Sequence, residues 1–272
     1  MTSVGPFSVQ AAALVAAALL AWLIALGLAR VLPGDTDRRA PSLLVDALLV
    51  GLLAARLAYV LRWWPQYAAA PASIVAIVAI GDGGFSAWAG LAAALALLAW
   101  RLRRRPAARR PVLGGLLVGL AAWGIAQGVL GSVRDNAPPL DTLAISTLDA
   151  KPVAPGRFAG KPVILNLWAS WCPPCRREMP VLAQAQAAHP ELTVLMLNQG
   201  EDASTVRGFL SQMRLRFDEV MLDPRRDAMR VYGSRGLPTT LFFDARGRLV
   251  ESHVGEITAA RLEDILQRQF GR

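Results

Sequence analysis

The chain has 272 residues, a formal net charge of +9 and 54% hydrophobic residues, room for two domains and too apolar for an ordinary soluble protein. Much of the positive charge is one cluster, Arg101, Arg103, Arg104, Arg105, Arg109 and Arg110, set between apolar runs as in a cytoplasmic membrane loop; no interleaved aromatic or groove-reading motif accompanies it, which excludes nucleic acid as a partner. The only two cysteines, Cys172 and Cys175, lie three apart and far from His189 and His253, a spacing that fits no usual zinc site.

A membrane-spanning helix needs about twenty mostly apolar residues. Four segments read this way, residues 7–28, 43–61, 85–100 and 112–130, the third short by itself. The stretch 74–80 is apolar, too short to span and followed by Gly81-Asp82-Gly83-Gly84. It reads as an interfacial or re-entrant piece, or as an extension of the third span. Basic side chains flank the spans unevenly. Arg30, Arg38 and Arg39 follow the first, only Arg62 follows the second, the arginine cluster follows the third, and residues 1–8 carry none. The positive-inside bias then makes the arginine loops cytoplasmic and the N-terminus external. Everything after the fourth span is external as well, a conclusion that depends on that one crossing. The first segment lacks the positive n-region of a signal peptide and is expected to stay uncleaved. Asp46 and Arg56 lie within the second span, where ionisable side chains either serve a function or snorkel to the interfaces.

Within this half, Ala55-Arg56-Leu57-Ala58-Tyr59-Val60, Trp64-Pro65-Gln66-Tyr67 and Gly81-Asp82-Gly83-Gly84-Phe85-Ser86 resemble the early part of prolipoprotein diacylglyceryl transferases, over roughly residues 45–102. That family places a histidine shortly after its Gly-Gly, where this chain has Ala87-Trp88, and its later Arg-x-Gly-Asn-Phe-x-Asn signature is absent; the fourth span offers only Trp123-Gly124-Ile125-Ala126-Gln127. The resemblance therefore implies a shortened relative without catalytic motifs, kept as an anchor or a lipid-contacting platform in the bilayer.

Composition shifts near residues 133–140, where Asn136-Ala137-Pro138-Pro139 reads as a linker. The chain is thus expected to divide into a helical membrane domain, 1–134, and a second domain, 135–272. In the second, Val163–Trp168 is a short apolar run typical of a strand buried on both faces. It leads through Ala169-Ser170-Trp171 into Cys172-Pro173-Pro174-Cys175 and a helical stretch, 176–188. A strand–CxxC–helix order puts the first cysteine at a helix N-terminus, where free N–H groups and the helix dipole stabilise a thiolate. Cys172 is then the attacking thiol and Cys175 the resolving one. A structural disulfide closing so small a loop stabilises little, while a copper(I)-handling pair remains an alternative, as does a dithiol oxidase. Further on, 192–197 and 219–222 read as strands, Ala203–Met213 and 225–232 as helices, the latter closed by Gly233. Thr239–Phe243 and 248–253 form a hairpin through Asp244-Ala245-Arg246-Gly247, and Ala259–Phe270 is a terminal helix.

The segment Trp168-Ala169-Ser170-Trp171-Cys172-Pro173-Pro174-Cys175-Arg176-Arg177-Glu178-Met179-Pro180 resembles the active-site segment of TlpA/ResA-type thioredoxin-like proteins, and Gly236-Leu237-Pro238-Thr239-Thr240 matches the cis-proline loop of that fold. The resemblance covers about residues 143–270. It implies an α/β thioredoxin-like domain, a central mixed sheet with helices on both faces, preceded by an all-α bundle of about four transmembrane helices. It implies a cis bond between Leu237 and Pro238, and a substrate surface made by Trp171, Pro173, Pro174, Leu237, Pro238 and Thr239. Thioredoxin has an aspartate where this chain has Asn166, which cannot titrate; ResA-type relatives place a glutamate after the next strand, which makes Glu201 the candidate proton-handling acid beside Cys172 and Cys175. No cofactor beyond the Cys172–Cys175 pair is expected. The resemblance further implies a disulfide reductase on the extracytoplasmic side of a bacterial inner membrane, with disulfide-containing proteins such as apocytochrome c as substrates. The membrane half has no cysteine, so reductant is expected from a separate membrane thiol relay of the DsbD type. Pro173 and Pro174 lack N–H groups that could stabilise the Cys172 thiolate, which favours a reducing pair.

Overall fold

A computed structural model describes residues 3–4, 7–32, 39–68, 84–135, 138–154 and 156–271. They fall into two compact units, Gln10–Leu130 and a second that joins Met1–Val9 with Gly131–Arg272. Two short strands, β1 (Ser3–Val4) and β2 (Phe7–Ser8), pair antiparallel. The first unit is then helical: α1 (Val9–Val31), α2 (Ala40–Arg62), the single turn-and-a-half α3 (Trp64–Ala68), α4 (Ala87–Arg104) and α5 (Arg109–Asp135).

Three helical stretches among the described residues are long and apolar enough to cross a membrane: Ala12–Val31, Ala40–Arg62 and Pro106–Gly131. The expected third of four spans is present as α4, but its last turn carries Arg101, Arg103 and Arg104, so its apolar length falls short of a bilayer core. The interfacial stretch expected at 74–80 lies outside the described residues, as do Asn136 and Ala137 of the expected linker.

Small residues let these helices approach closely, as lipid-embedded helices do in the absence of a hydrophobic driving force. A Cβ on Gly90 of α4 would stand 2.8 Å from the Gly51 carbonyl of α2, and one on Gly115 of α5 would run into the Ala21 carbonyl of α1. Leu19, Leu23, Leu53, Leu57, Leu61, Leu117, Leu120 and Ile125 stay exposed, an apolar exterior suited to acyl chains. Arg56 is half-buried; its Nη1 donates to the Gly84 carbonyl at 2.8 Å, and its guanidinium lies 5.8 Å from the ring centres of both Tyr67 and Phe85.

The second unit is built on a six-stranded mixed sheet of order β3-β6-β5-β4-β7-β8. The elements are β3 (Ser146–Thr147), β4 (Val163–Trp168), α6 (Pro173–Ala188), β5 (Thr193–Gln199), α7 (Ala203–Met213), β6 (Glu219–Asp223), α8 (Asp227–Val231), β7 (Thr239–Phe243), β8 (Leu249–Val254) and α9 (Ala259–Phe270). β4, β5 and β6 run parallel; β3, β7 and β8 pair antiparallel to their neighbours. Alternate residues of β4 feed opposite faces, as the period of two requires. Ile164 and Trp168 join Met179 and Leu182 of α6, Phe209 of α7 and Ile265 of α9 in one core. Leu165 and Leu167 join Leu140, Leu143, Tyr232 and Phe243 in the other. This is the thioredoxin-like α/β arrangement with helices on both faces.

Candidate active site

β4 ends at Trp168, and the next three residues carry the chain to Cys172, which is the N-cap of α6. Prolines are tolerated at Pro173 and Pro174 because first-turn N–H groups have no partner within the helix in any case. Cys172 and Cys175 are joined in a disulfide, so the structure shows the oxidised form. The Cys175 N–H donates to Cys172 Sγ at 3.3 Å, the helix N-terminus acting on the first sulfur. Cys175 is completely buried and Cys172 nearly so, while Trp171 beside it is 62% exposed. Pro173 is exposed and Pro174 half-buried. Trp171, Pro173 and Pro174 thus flank a Cys172 that is itself nearly buried.

Glu201 follows β5 and reaches the loop before Cys172. Its carboxylate accepts from the Ser170 N–H at 2.7 Å, from the Ser170 hydroxyl at 2.5 Å and from Asn198 Nδ2 at 2.6 Å. Its own N–H donates to Asn198 Oδ1 at 3.1 Å. The structure therefore brings Glu201 to the active-site loop, two residues before the nucleophile, through Ser170. Asp202 next to it caps α7, accepting from Thr205 N at 2.8 Å; the Ser204 hydroxyl and the Thr205 N–H hold its carboxyl below the usual range.

A second acid, not foreseen, sits deeper. Glu178 lies three residues after Cys175 on α6, so the two side chains share one helix face. It is 1% exposed. Glu178 Oε1 accepts from Asn166 Nδ2 at 2.6 Å and Oε2 from the Ile257 N–H at 2.8 Å. Asn166 also donates to Thr240 Oγ1 at 3.1 Å across the β4–β7 pair. Burial pushes the Glu178 carboxyl up to about 8, against the opposing pull of the Ile257 N–H and Asn166 and with the help of the nearby Glu256 charge. At neutral pH it is predominantly a neutral acid. Asn166 Oδ1 is buried with no partner among the described residues, an acceptor within the same group of side chains for the acid proton once the amide rotates. The signal for Glu178 was its spacing: Cys175, Met179 and Leu182 are the buried stripe of α6, and the glutamate lies within it.

The Leu237–Pro238 bond is cis, as expected. Thr239 pairs with Leu167 of β4, which places Leu237–Pro238 at the end of β4 from which the cysteine loop departs. Leu237 is half-buried against the core that contains both cysteines. Thr239, expected in the substrate surface, has its side chain fully buried, and its hydroxyl bonds the Gly236 carbonyl at 2.8 Å and Ser234 Oγ at 2.7 Å. Pro238 is buried too, its carbonyl accepting from Gly255 N at 2.9 Å. Gly236 and Leu237, just before the cis bond, are half-buried.

Comparison with known proteins divides the chain in the same two parts. Residues 133–266 match the Redoxin family model, and residues 1–132 match that of prolipoprotein diacylglyceryl transferase. The thiol-disulfide oxidoreductase ResA of Bacillus thuringiensis subsp. konkukian is 31% identical over 126 residues, covering 46% of this chain and 72% of that protein. The ResA of Bacillus cereus strain ZK is 32% identical over 160 residues, 56% of this chain and 90% of that protein. The sporulation thiol-disulfide oxidoreductase A of Bacillus subtilis is 28% identical, covering 55% and 91% respectively. The crystal structure of StoA from Bacillus subtilis aligns at 25% identity with a TM-score of 0.39, over 45% of this chain and 93% of that one. By its C-terminal half, with the cysteine pair at the N-terminus of α6, this membrane-anchored chain belongs to the ResA family of thiol-disulfide oxidoreductases.

Proposed function

We propose that the protein reduces disulfides of polypeptides on the extracytoplasmic side of the membrane. The observation that carries this reading is the Cys172–Cys175 pair at the head of α6, one sulfur beside an exposed rim and the other buried. In the reduced form, the Cys172 thiolate attacks a substrate disulfide, forming a mixed disulfide and releasing one substrate thiolate. The Cys175 thiolate then attacks Cys172 Sγ, closing the intramolecular bond and releasing the second substrate thiolate. Two electrons pass to the substrate, and the Cys175 proton must leave before the second attack. Glu178 lies on the same face as Cys175, and its ionised form, the minority at neutral pH, is the base that receives that proton; Glu201, hydrogen-bonded to Ser170, serves the Cys172 side of the loop. Two electrons must then return from an external dithiol, for which a membrane relay of the DsbD type fits the cysteine-free membrane unit.

The external location is supported by the six arginines clustered at the junction of α4 and α5 and by α5 alone following them before the redox unit. The membrane unit serves as an anchor: Ala87-Trp88 stands where the transferase family has its histidine. Two measurements test the reading. Reduced protein in membranes should reduce insulin, and the Cys172→Ser variant should not. A membrane-impermeant maleimide should label the reduced cysteines in intact spheroplasts. Labelling only after the membrane is permeabilised would place the site in the cytoplasm and sink the extracytoplasmic assignment.

A further inference from the structure

We infer that the surface around Cys172 selects disulfides carried on acidic polypeptide segments, through Arg176, Arg226 and Arg235. The inference rests on the disulfide-reductase reading and specifies its substrate class. Acidic and basic residues nearly balance across the redox unit, so any selectivity must come from their placement. Away from the cysteines, four arginines are matched, Arg157 with Glu219, Arg207 with Asp149, Arg248 with Asp244 and Arg268 with Asp264, while Arg214, Arg216 and Arg246 are exposed without an acid partner among the described residues. At the cysteine end three more lack one, and their placement beside the reactive pair is what bears on substrate choice. Arg176, Arg226 and Arg235 are exposed and have no carboxylate partner among the described residues.

Each is tied to a loop at the end of β4 from which Cys172 departs. Arg176 directly follows Cys175, and its guanidinium lies 5.6 Å from the Phe209 ring centre, which leaves its N–H groups unclaimed by an acid. Arg226 follows β6, adopts a left-handed backbone with φ +56°, and lays its guanidinium over Gly200; a Cβ there would stand 2.7 Å from Arg226 Nε. Gly200 itself has φ +88° and precedes Glu201, whose carboxylate holds Ser170. Arg235 lies two residues before Leu237 in the cis-proline loop.

The acids of the same region are already engaged. Glu201 is bound by Ser170 and Asn198, Glu256 by Arg177, and Asp227 by Arg225 and Arg230. Asp223 caps the N–H groups of Asp227 and Ala228, and Asp202 caps α7. What faces an arriving chain is an exposed Trp171, an apolar platform 62% exposed, at the same end of the sheet as the loops that carry the three arginines. Guanidinium forks match carboxylates bidentately. Charges at a rim of this kind act chiefly on the encounter rate, and salt screens them.

The test uses the reduced full chain in detergent micelles and two synthetic peptides. They share one intramolecular disulfide and differ only in whether Glu or Lys flanks it. At low ionic strength the Glu-flanked peptide should be reduced roughly tenfold faster than its Lys twin, and the ratio should fall toward one at about 0.5 M salt. The Arg226→Glu/Arg235→Glu pair should invert the ratio, and Arg226→Gln/Arg235→Gln should bring it near one. Because the ratio is taken on a single preparation, partial loss of folded protein does not change it. Equal rates for both peptides at low salt, or a Lys preference in the wild-type chain, would overturn the inference while leaving the reductase reading in place. Failure to reduce either peptide would overturn the reductase reading itself.

Discussion

Replacing Glu178 by Gln should change how the stability of the redox unit depends on pH. The folded carboxyl is raised from 4.5 to about 8, with burial as the main cause. A raised value means that the folded state holds the proton more tightly than the unfolded chain does. Its contribution is therefore fully present below about pH 4.5 and is lost as pH rises through about 8. With about 1.36 kcal/mol for each pH unit between the two values, the wild-type unit should lose on the order of 5 kcal/mol across that window. Glu178→Gln removes the titration but must still face the Asn166 Nδ2 and Ile257 N–H donors. A cost of about 1–2 kcal/mol at acid pH is expected from the disturbed hydrogen bonds. The two stability curves should then cross, wild type ahead at pH 5 and the variant ahead at pH 9. Pulse proteolysis in a urea series, applied to the full chain in detergent, reads the surviving redox unit directly. Glu256, Arg177 and His253, whose Nε2 lies 3.2 Å from the Glu256 carbonyl, are present in both proteins, so their contribution is common to the two curves. Parallel curves for wild type and variant would show that Glu178 does not titrate in this window and would refute its burial as an acid.

Three further outcomes are expected. Cys175→Ser should trap substrate on Cys172 as a mixed disulfide visible on a non-reducing gel, because the resolving thiol is gone; release of substrate at the wild-type rate would contradict the assigned order of attack. The potential of the Cys172–Cys175 couple, equilibrated in dithiothreitol buffers, should lie nearer to about −270 mV than to about −120 mV, since neither Pro173 nor Pro174 can donate to the thiolate; a value at the oxidising end would identify a dithiol oxidase. Glu201→Gln should slow disulfide reduction by about tenfold by loosening the Ser170 loop, and should move the pH profile of the Cys172 attack. A slower rate with an unmoved profile would leave Glu201 a holding role only.

Much of this architecture was legible along the chain because it rests on local rules. The apolar run Val163–Trp168 had to be a buried strand, and it lies at the centre of the sheet. The turn Asp244-Ala245-Arg246-Gly247 closes the β7–β8 hairpin with Gly247 at φ +74°, a conformation glycine adopts without strain. The two cysteines announced their chemistry by spacing, and the proline loop announced its cis bond.

Other features depended on what the folded chain brings together. Ser146–Thr147 has no strand signal of its own and becomes β3 only by pairing with Met221 and Leu222. The helix expected over 225–232 shrinks to Asp227–Val231 because Asp223, one loop away, caps its first N–H groups. Thr239 reads as the first residue of a strand next to the substrate surface, and it is the strands on both sides that bury its side chain. Glu178 is the clearest case. Beside Arg176 and Arg177 it reads as one more solvated charge. Only the approach of Asn166 and of the loop at Ile257 strips its water, and it is that desolvation, a property of tertiary neighbours, that turns an ordinary carboxylate into a buried acid on the face of Cys175.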